Sequence, residues 1–276
     1  MTHARRSWLF VPGADEAAHE AAARCGADVL IQELEDFTPP ALRPAARALA
    51  RTLYDRWRSA GAISAVRVNP LATCGADDLA AVLAGRPDIV MMSKVAAAED
   101  VHALHAATGG TVELVPNIES AAGLVRTIEI VRASPRVTAA LVASEDMVAD
   151  LGAARTRTGE ELAYVRARFL VECRAAGVEA IDCPYTFSDA RGAAADARYA
   201  KRLGYRAKSL VAPGHAAAIN RAFTPQPAEI ARARRVVAAF ERARAAGHER
   251  ALVDGALVEV PTYAAARRLV ATLEDQ

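Results

Sequence analysis

Eight short aliphatic runs, each followed by an alanine-rich amphipathic stretch, constrain this chain more than any single motif does. They are Ser7–Pro12, Val29–Asp36, Ile63–Asn69, Ile89–Val95, Val112–Glu119, Ala139–Asp146, Val178–Pro184 and Tyr205–Pro213. The runs are too short for typical helices and are rich in Val, Ile and Leu without strict alternation. That is how strands buried on both faces of a parallel sheet read. The stretches between them, such as Asp15–Cys25, Leu42–Ser59 and Thr158–Ala176, carry apolar residues at helical spacing. Several close on a glycine where a helix should stop, at Gly26, Gly61, Gly177 and Gly204. Eight such units in roughly 200–250 residues predict an α/β fold, a (β/α)8 barrel. A doubly wound open sheet is the competitor. It would show a glycine-rich turn after its first strand, where this chain has only Val11-Pro12-Gly13.

Residues 1–213 are therefore assigned to the barrel, and 214–276 to its final helix and a C-terminal extension, one domain overall. The extension reads as a helix over Pro227–Ala246, a hairpin and a second helix over Thr262–Leu273. The hairpin turns at Asp254-Gly255, between the apolar runs Arg250–Asp254 and Ala256–Val260. It is expected to act as a lid or an oligomer contact. The 34 basic and 33 acidic residues leave a formal charge of +1, which argues against a nucleic-acid partner. No run of about 18 apolar residues suggests a membrane span. The start, Met1-Thr2-His3-Ala4-Arg5-Arg6, lacks a leader's cleavage region, so a cytoplasmic location is expected. Cys25, Cys74, Cys173 and Cys183 are scattered, which disfavours disulfides and zinc.

In a barrel the chemistry sits at the C-terminal ends of the strands. Carboxylates close the second run (Glu33, Glu35, Asp36), the fifth (Glu119), the sixth (Glu145, Asp146) and the seventh (Asp182). Acids converging on one rim repel unless a cation neutralises them, and oxygen ligands with water positions suit Mg2+ or Mn2+ rather than zinc. Glu119 and Asp146, on adjacent strands, are the best direct ligands; Glu35 and Asp36 are placed to hold metal-bound waters. The plain alternative is that these acids cap helices and pair in loops. Arg67, ending an otherwise apolar strand before Asn69-Pro70, is suited to a substrate carboxylate or carbonyl oxygen, or to a structural pairing with a rim acid. Lys94 and Lys208, two of three lysines, end strands where an amine could form a Schiff base, although neighbouring acids favour an ion pair. Of the six histidines, only His215 falls near a strand end.

These rim motifs resemble, in order and over nearly the whole chain, the citrate lyase beta-subunit-like enzymes of the HpcH/HpaI aldolase superfamily, among them malyl-CoA and citramalyl-CoA lyases. The matching segments are Ser7-Trp8-Leu9-Phe10-Val11-Pro12-Gly13, Leu34-Glu35-Asp36, Arg67-Val68-Asn69-Pro70, Ile118-Glu119-Ser120, Glu145-Asp146-Met147, Lys208, Asn220–Phe223 and the Asp254-Gly255 hairpin. The resemblance implies a Mg2+-assisted carbon–carbon lyase or condensing enzyme acting on a β-hydroxyacyl-CoA, such as a malyl- or citramalyl-CoA-like thioester. It implies metal on Glu119 and Asp146, with Arg67 steadying an oxyanion. Glu35, Asp36, Lys94, Asn69 and Pro12 become supporting or substrate-binding positions. It also implies CoA along the barrel mouth, a trimer or hexamer, and a lid acid from a neighbouring copy. That acid is normally an aspartate before a proline; here Val258-Glu259-Val260-Pro261 offers Glu259. Other departures are Glu33, Ser93, Ala96, Ala143 and Val211-Ala212-Pro213. The metal pair and Arg67 are kept while the thioester and lid motifs drift. Two alternatives stay open: an aldolase on free 2-oxo or hydroxy acids without CoA, and a silent oxo-acid-binding sensor.

Overall fold

In the computed structural model, which describes residues 5–274, the eight runs become strands of one closed parallel barrel. Met1–Ala4, on which the leader-free expectation rests, lie outside the described residues. The strands are β1 (Ser7–Pro12), β2 (Val29–Glu33), β3 (Ile63–Val68), β4 (Ile89–Met92), β5 (Glu113–Ile118), β6 (Ala139–Val142), β7 (Glu179–Asp182) and β8 (Ala207–Leu210). Each pairs with the next, and β8 closes on β1 through Ser7 opposite Lys208. Every strand but β1 is shorter than the run that announced it. The residues past each C-terminal end leave the ladder as loops, and there the polar side chains gather.

Side-chain parity explains both buried faces. Phe10, Ile31, Ala65, Met91, Val115, Leu141, Ile181 and Ala207 point inward and pack as one apolar cluster. Their neighbours Leu9, Leu30, Val66, Val90, Leu114, Ala140 and Ala180 belong to a second cluster shared with the surrounding helices. A closed barrel imposes this alternation of interior and helix-facing residues. The helices that supply the outer layer include Arg43–Ser59, Ala163–Ala176 and Ala190–Leu203. Gly177 and Gly204 end the last two in left-handed conformation.

Parity also overturns two readings of the rim. Asp182 and Lys208 alternate with inward-facing Ile181 and Ala207, so they point outward, under the helices. Lys208 Nζ lies 2.6 Å from Asp182 and 2.6 Å from Asp196, while Arg166 forks onto Asp182 at 2.8 and 2.7 Å and reaches Asp196 at 2.8 Å. Two cations and two carboxylates thus cancel inside the outer layer. Lys208 is a fully buried ion-pair residue there, not an amine facing substrate.

The chain divides after Phe223 into two units, and the last barrel helix, Ala216–Phe223, falls in the first. The described part of the second has helices Pro227–Ala245 and Val260–Glu274 around the hairpin β9 (Ala251–Val253) and β10 (Ala256–Val258). Asp254 and Gly255 both take positive φ, 51° and 77°, as a two-residue hairpin turn requires. Its own small core holds Val236, Phe240, Val253 and Val258, with Phe240 and Tyr263 stacked at 4.6 Å. No helix among the described residues is long and apolar enough to cross a membrane.

The outward quartet generates a stability prediction. Lys208→Ala leaves Asp182 and Asp196 under-compensated in a buried setting and should cost roughly 3–5 kcal/mol in urea unfolding. A loss below about 1 kcal/mol would show that the quartet is electrostatically dispensable.

Candidate active site

Inward parity carries past the apolar interior to a charged layer at the C-terminal strand ends. Glu33 on β2 pairs in register with Arg67 on β3. Arg67 is buried, and its guanidinium is surrounded by acids. Nε donates to Glu33 Oε1 at 2.9 Å, Nη2 lies 3.1 Å from Glu35 Oε2 and 3.8 Å from Asp36, and Nη1 lies 3.6 Å from Glu119 Oε1. Burial works against the guanidinium's charge, but Glu33, Glu119 and Glu35 outweigh it and hold it protonated. Nη1 alone has no acid within hydrogen-bond distance, so it is the edge open to another oxygen.

Glu33 organises more than Arg67. Its two oxygens also accept the backbone N–H groups of Glu35 (2.6 Å) and Phe37 (2.5 Å), folding the β2 exit loop back over the strand. Gly13 permits this close packing, because a Cβ there would stand 2.4 Å from the Glu33 carbonyl. The sequence offered Glu33 as one of several rim acids and as a departure from a motif. Its role was readable from its parity with Arg67, had that register been known.

Lys94 follows β4 in left-handed conformation, φ 55°, which a residue with a Cβ adopts at a cost of about 1–3 kcal/mol. Ser93 N–H to the Val68 carbonyl (3.2 Å) and Val95 N–H to the Asn117 carbonyl (3.1 Å) pin it on both sides. Its ammonium contacts Glu35 and stands 3.7 Å from Asp36. Burial lowers its proton affinity, but Glu35, Asp36 and Glu119 more than compensate, so the amine is held charged. That favours the ion-pair reading over a Schiff base. Burial pushes the Glu35 carboxyl up, with Arg67 and Lys94 opposing.

Glu119 is the exception in this layer. Its side chain is 2% exposed, and neither carboxylate oxygen has a hydrogen-bond partner. Burial, with the charges of Asp146 and Glu35 added, pushes its pKa from 4.5 to about 8, against the pull of Arg67 and Lys94. Asp146 lies not on β6 but in the first turn of the helix Glu145–Asp150. Glu119, Asp146, Lys94, Ser120 and Asp150 line one cavity of about 320 Å3. Among the described residues, no cluster of three or more His, Cys, Asp or Glu forms a ready metal site. Two carboxylates on a cavity with room for water suit a hard cation that keeps much of its hydration, and do not suit zinc.

The other expected residues are placed differently. Asn69 is turned to structure, its amide donating to the Leu34 carbonyl (2.9 Å) and to Asp78 (2.8 Å). The Pro12 carbonyl hydrogen-bonds His19 Nε2 at 2.9 Å and so fastens the β1 exit. Asp36 is half exposed beside Lys94 and Arg67. Glu259 belongs to the second unit, where it is exposed and lies 3.3 Å from Arg250. The fifth strand carries one further polar residue, given no role by the sequence. Asn117, two positions before Glu119 on the same strand face, is fully buried with neither amide atom partnered. Its alternation with Glu119 was the only signal, hidden inside an apolar run.

The raised Glu119 carboxyl makes stability depend on pH. Its contribution is full below pH 4.5 and is lost as pH climbs through about 8, since the folded chain must then ionise a buried acid. In metal-free protein, thermal unfolding of Glu119→Gln should therefore show a shallower decline from pH 5 to 8 than wild type. Parallel curves would contradict the burial effect.

The family model described as HpcH/HpaI aldolase/citrate lyase matches residues 6–213. The chain is 35% identical to citrate lyase subunit beta of Escherichia coli (strain K12), over 99% of this chain and 94% of that one. It is 33% identical to a (3S)-malyl-CoA thioesterase of Cereibacter sphaeroides (strain ATCC 17029 / ATH 2.4.9), over 99% and 96%. The crystal structure of CitE from Mycobacterium tuberculosis in complex with magnesium, acetoacetate and coenzyme A superposes with a TM-score of 0.82 at 28% identity, covering 98% of each chain. This chain belongs to the HpcH/HpaI aldolase/citrate lyase family of carbon–carbon lyases.

Proposed function

We propose that the protein is a Mg2+-dependent carbon–carbon lyase that cleaves or forms the bond between an oxo-acid fragment and an acyl-CoA, on a malyl- or citramalyl-CoA-like thioester. The observation that carries this reading is Glu119: a buried carboxylate with two unpartnered oxygens, sharing a water-accessible cavity with Asp146. A buried acid in that state calls for a cation. The magnesium and coenzyme A bound by the related CitE structure support the same choice.

Glu119 and Asp146 would hold the ion, with Mn2+ as the alternative. When bound, the ion supplies Lewis-acid polarisation of the substrate's carbonyl or alkoxide oxygen. The remaining work falls to the chain's own groups. Glu33 and Glu35 hold Arg67 at Nε and Nη2, which leaves Nη1 to donate to an oxygen arriving near Glu119. A guanidinium fixed before substrate arrives needs no reorientation as negative charge grows on that oxygen. Lys94, anchored by Glu35, adds positive charge to the same cavity. Cleavage leaves an acyl enolate that must gain a proton, and condensation requires the reverse. Glu259 of a neighbouring copy, two positions before Pro261, is assigned that proton exchange. A cytoplasmic homotrimer or hexamer belongs to the same reading.

Two experiments test it. Titration of Mg2+ at pH 7 in buffers of different ionisation enthalpy should report release of nearly one proton, because Glu119 must ionise to bind. The release should vanish above about pH 9, and Glu119→Gln should weaken binding by more than roughly tenfold. Equal affinity without proton release would remove Glu119 from the metal site. Glu259→Gln should lose thioester turnover, followed as free CoA and as acyl-CoA, while its Mg2+ titration matches wild type. Unchanged turnover would assign Glu259 a structural role.

A further inference from the structure

The aromatic residues at the barrel mouth take no part in the chemistry above. Phe10 tops the apolar interior and is 5% exposed, whereas Phe37, on the β2 exit loop, remains 40% exposed. Their rings meet edge to face, centroids 6.4 Å apart at 75°. The Arg67 guanidinium carbon lies 4.8 Å from the Phe10 centroid and 6.0 Å from that of Phe37. Phe37 is held in place, because its N–H donates to Glu33, the carboxylate that also aligns Arg67. A fixed, half-exposed ring beside the guanidinium presents apolar surface where a substrate's oxygen-bearing end is received.

The charges of the site point the same way. Lys94 is the one cation among the residues lining the cavity, against Glu119, Asp146 and Asp150, and it is already engaged by Glu35 and Asp36. Arg155 is likewise engaged, by Glu145 at 3.1 Å and Glu161 at 2.7 Å. With the ion held by Glu119 and Asp146, a second carboxylate on the oxo acid would meet Asp150 and no unengaged cation in the cavity's lining.

We propose that Phe37 determines specificity: the site takes a 2-oxo acid with one carboxylate and an apolar substituent, and disfavours a dicarboxylic one. The proposal rests on the reading of the barrel mouth as an oxo-acid site and deepens it. A suitable ligand pair is 2-oxopentanoate and 2-oxoglutarate, which share a five-carbon skeleton and differ at the far end, methyl against carboxylate. Calorimetric titration of the Mg2+-loaded full chain should show 2-oxopentanoate preferred by at least roughly tenfold. Phe37→Ala should bring that ratio near unity by weakening 2-oxopentanoate about tenfold, with Mg2+ affinity unchanged. Phe37→Leu, which keeps an apolar side chain, should retain most of the preference. A ratio unchanged in Phe37→Ala, or a wild-type preference for 2-oxoglutarate, would overturn the role of Phe37. If the wild type binds Mg2+ but neither acid, the oxo-acid site itself is wrong and the proposal falls with it.

Discussion

One buried guanidinium holds this site together. Arg67 sits at the inward-facing end of β3, where taking a charge out of water costs several kcal/mol unless partners surround it. Glu33 on β2, Glu35 on the loop after it and Glu119 after β5 are those partners. Glu33, fully buried and ion-paired to Arg67 alone among the described residues, would be costly so deep in the barrel without it. The dependence is mutual, and it ties separate strands into one rigid arrangement before any ligand arrives. The compensation is uneven, however. Glu33 and Glu35 are within 3.1 Å of the guanidinium, while Glu119 is left at 3.6 Å, on the side facing Asp146. That carboxyl, protonated until a cation arrives, separates a stable salt-bridge layer from a site with a demand for a cation.

The barrel was legible in the sequence because both-face burial and eight-fold repetition are composition-level signals. The Glu119, Asp146 and Arg67 set was legible because each interrupts an apolar or alanine-rich stretch at a strand end. What the sequence could not show was direction. A strand's last residues point inward or outward according to a register fixed by neighbouring strands, and a shift of one residue exchanges the two. Asp182 and Lys208 looked like rim residues for that reason, although they serve the packing of helices. Asn69 followed Arg67 in a suggestive motif, yet Asp78, nine residues on, captures its amide. Asp146 reads as the end of a strand, but the chain has already turned into a short helix before it. Phe37 gave no signal, since an aromatic in a loop is indistinguishable from a core residue until its exposure is known.

Charge and shape divide the labour at the barrel mouth. In the proposed reading, the acids and Arg67 address the oxygen-bearing, reacting end of a substrate. Relatives that include a citrate lyase beta subunit and a malyl-CoA thioesterase show that neighbouring sequences carry out different reactions. In the same reading, selection among substrates falls to side chains other than these charged ones. Phe37 is such a residue here, because Glu33 fixes it and Arg67 places it, while its ring keeps its own exposed surface.

The most direct test of the account is the anomalous scattering of Mn2+ in crystals of the protein grown with pyruvate. The account predicts a single strong peak ligated by Glu119 and Asp146, with water or pyruvate oxygens completing the shell and Arg67 Nη1 donating to the bound acid. A peak elsewhere, or a Glu119 carboxylate that stays unligated in manganese-saturated crystals, would contradict it.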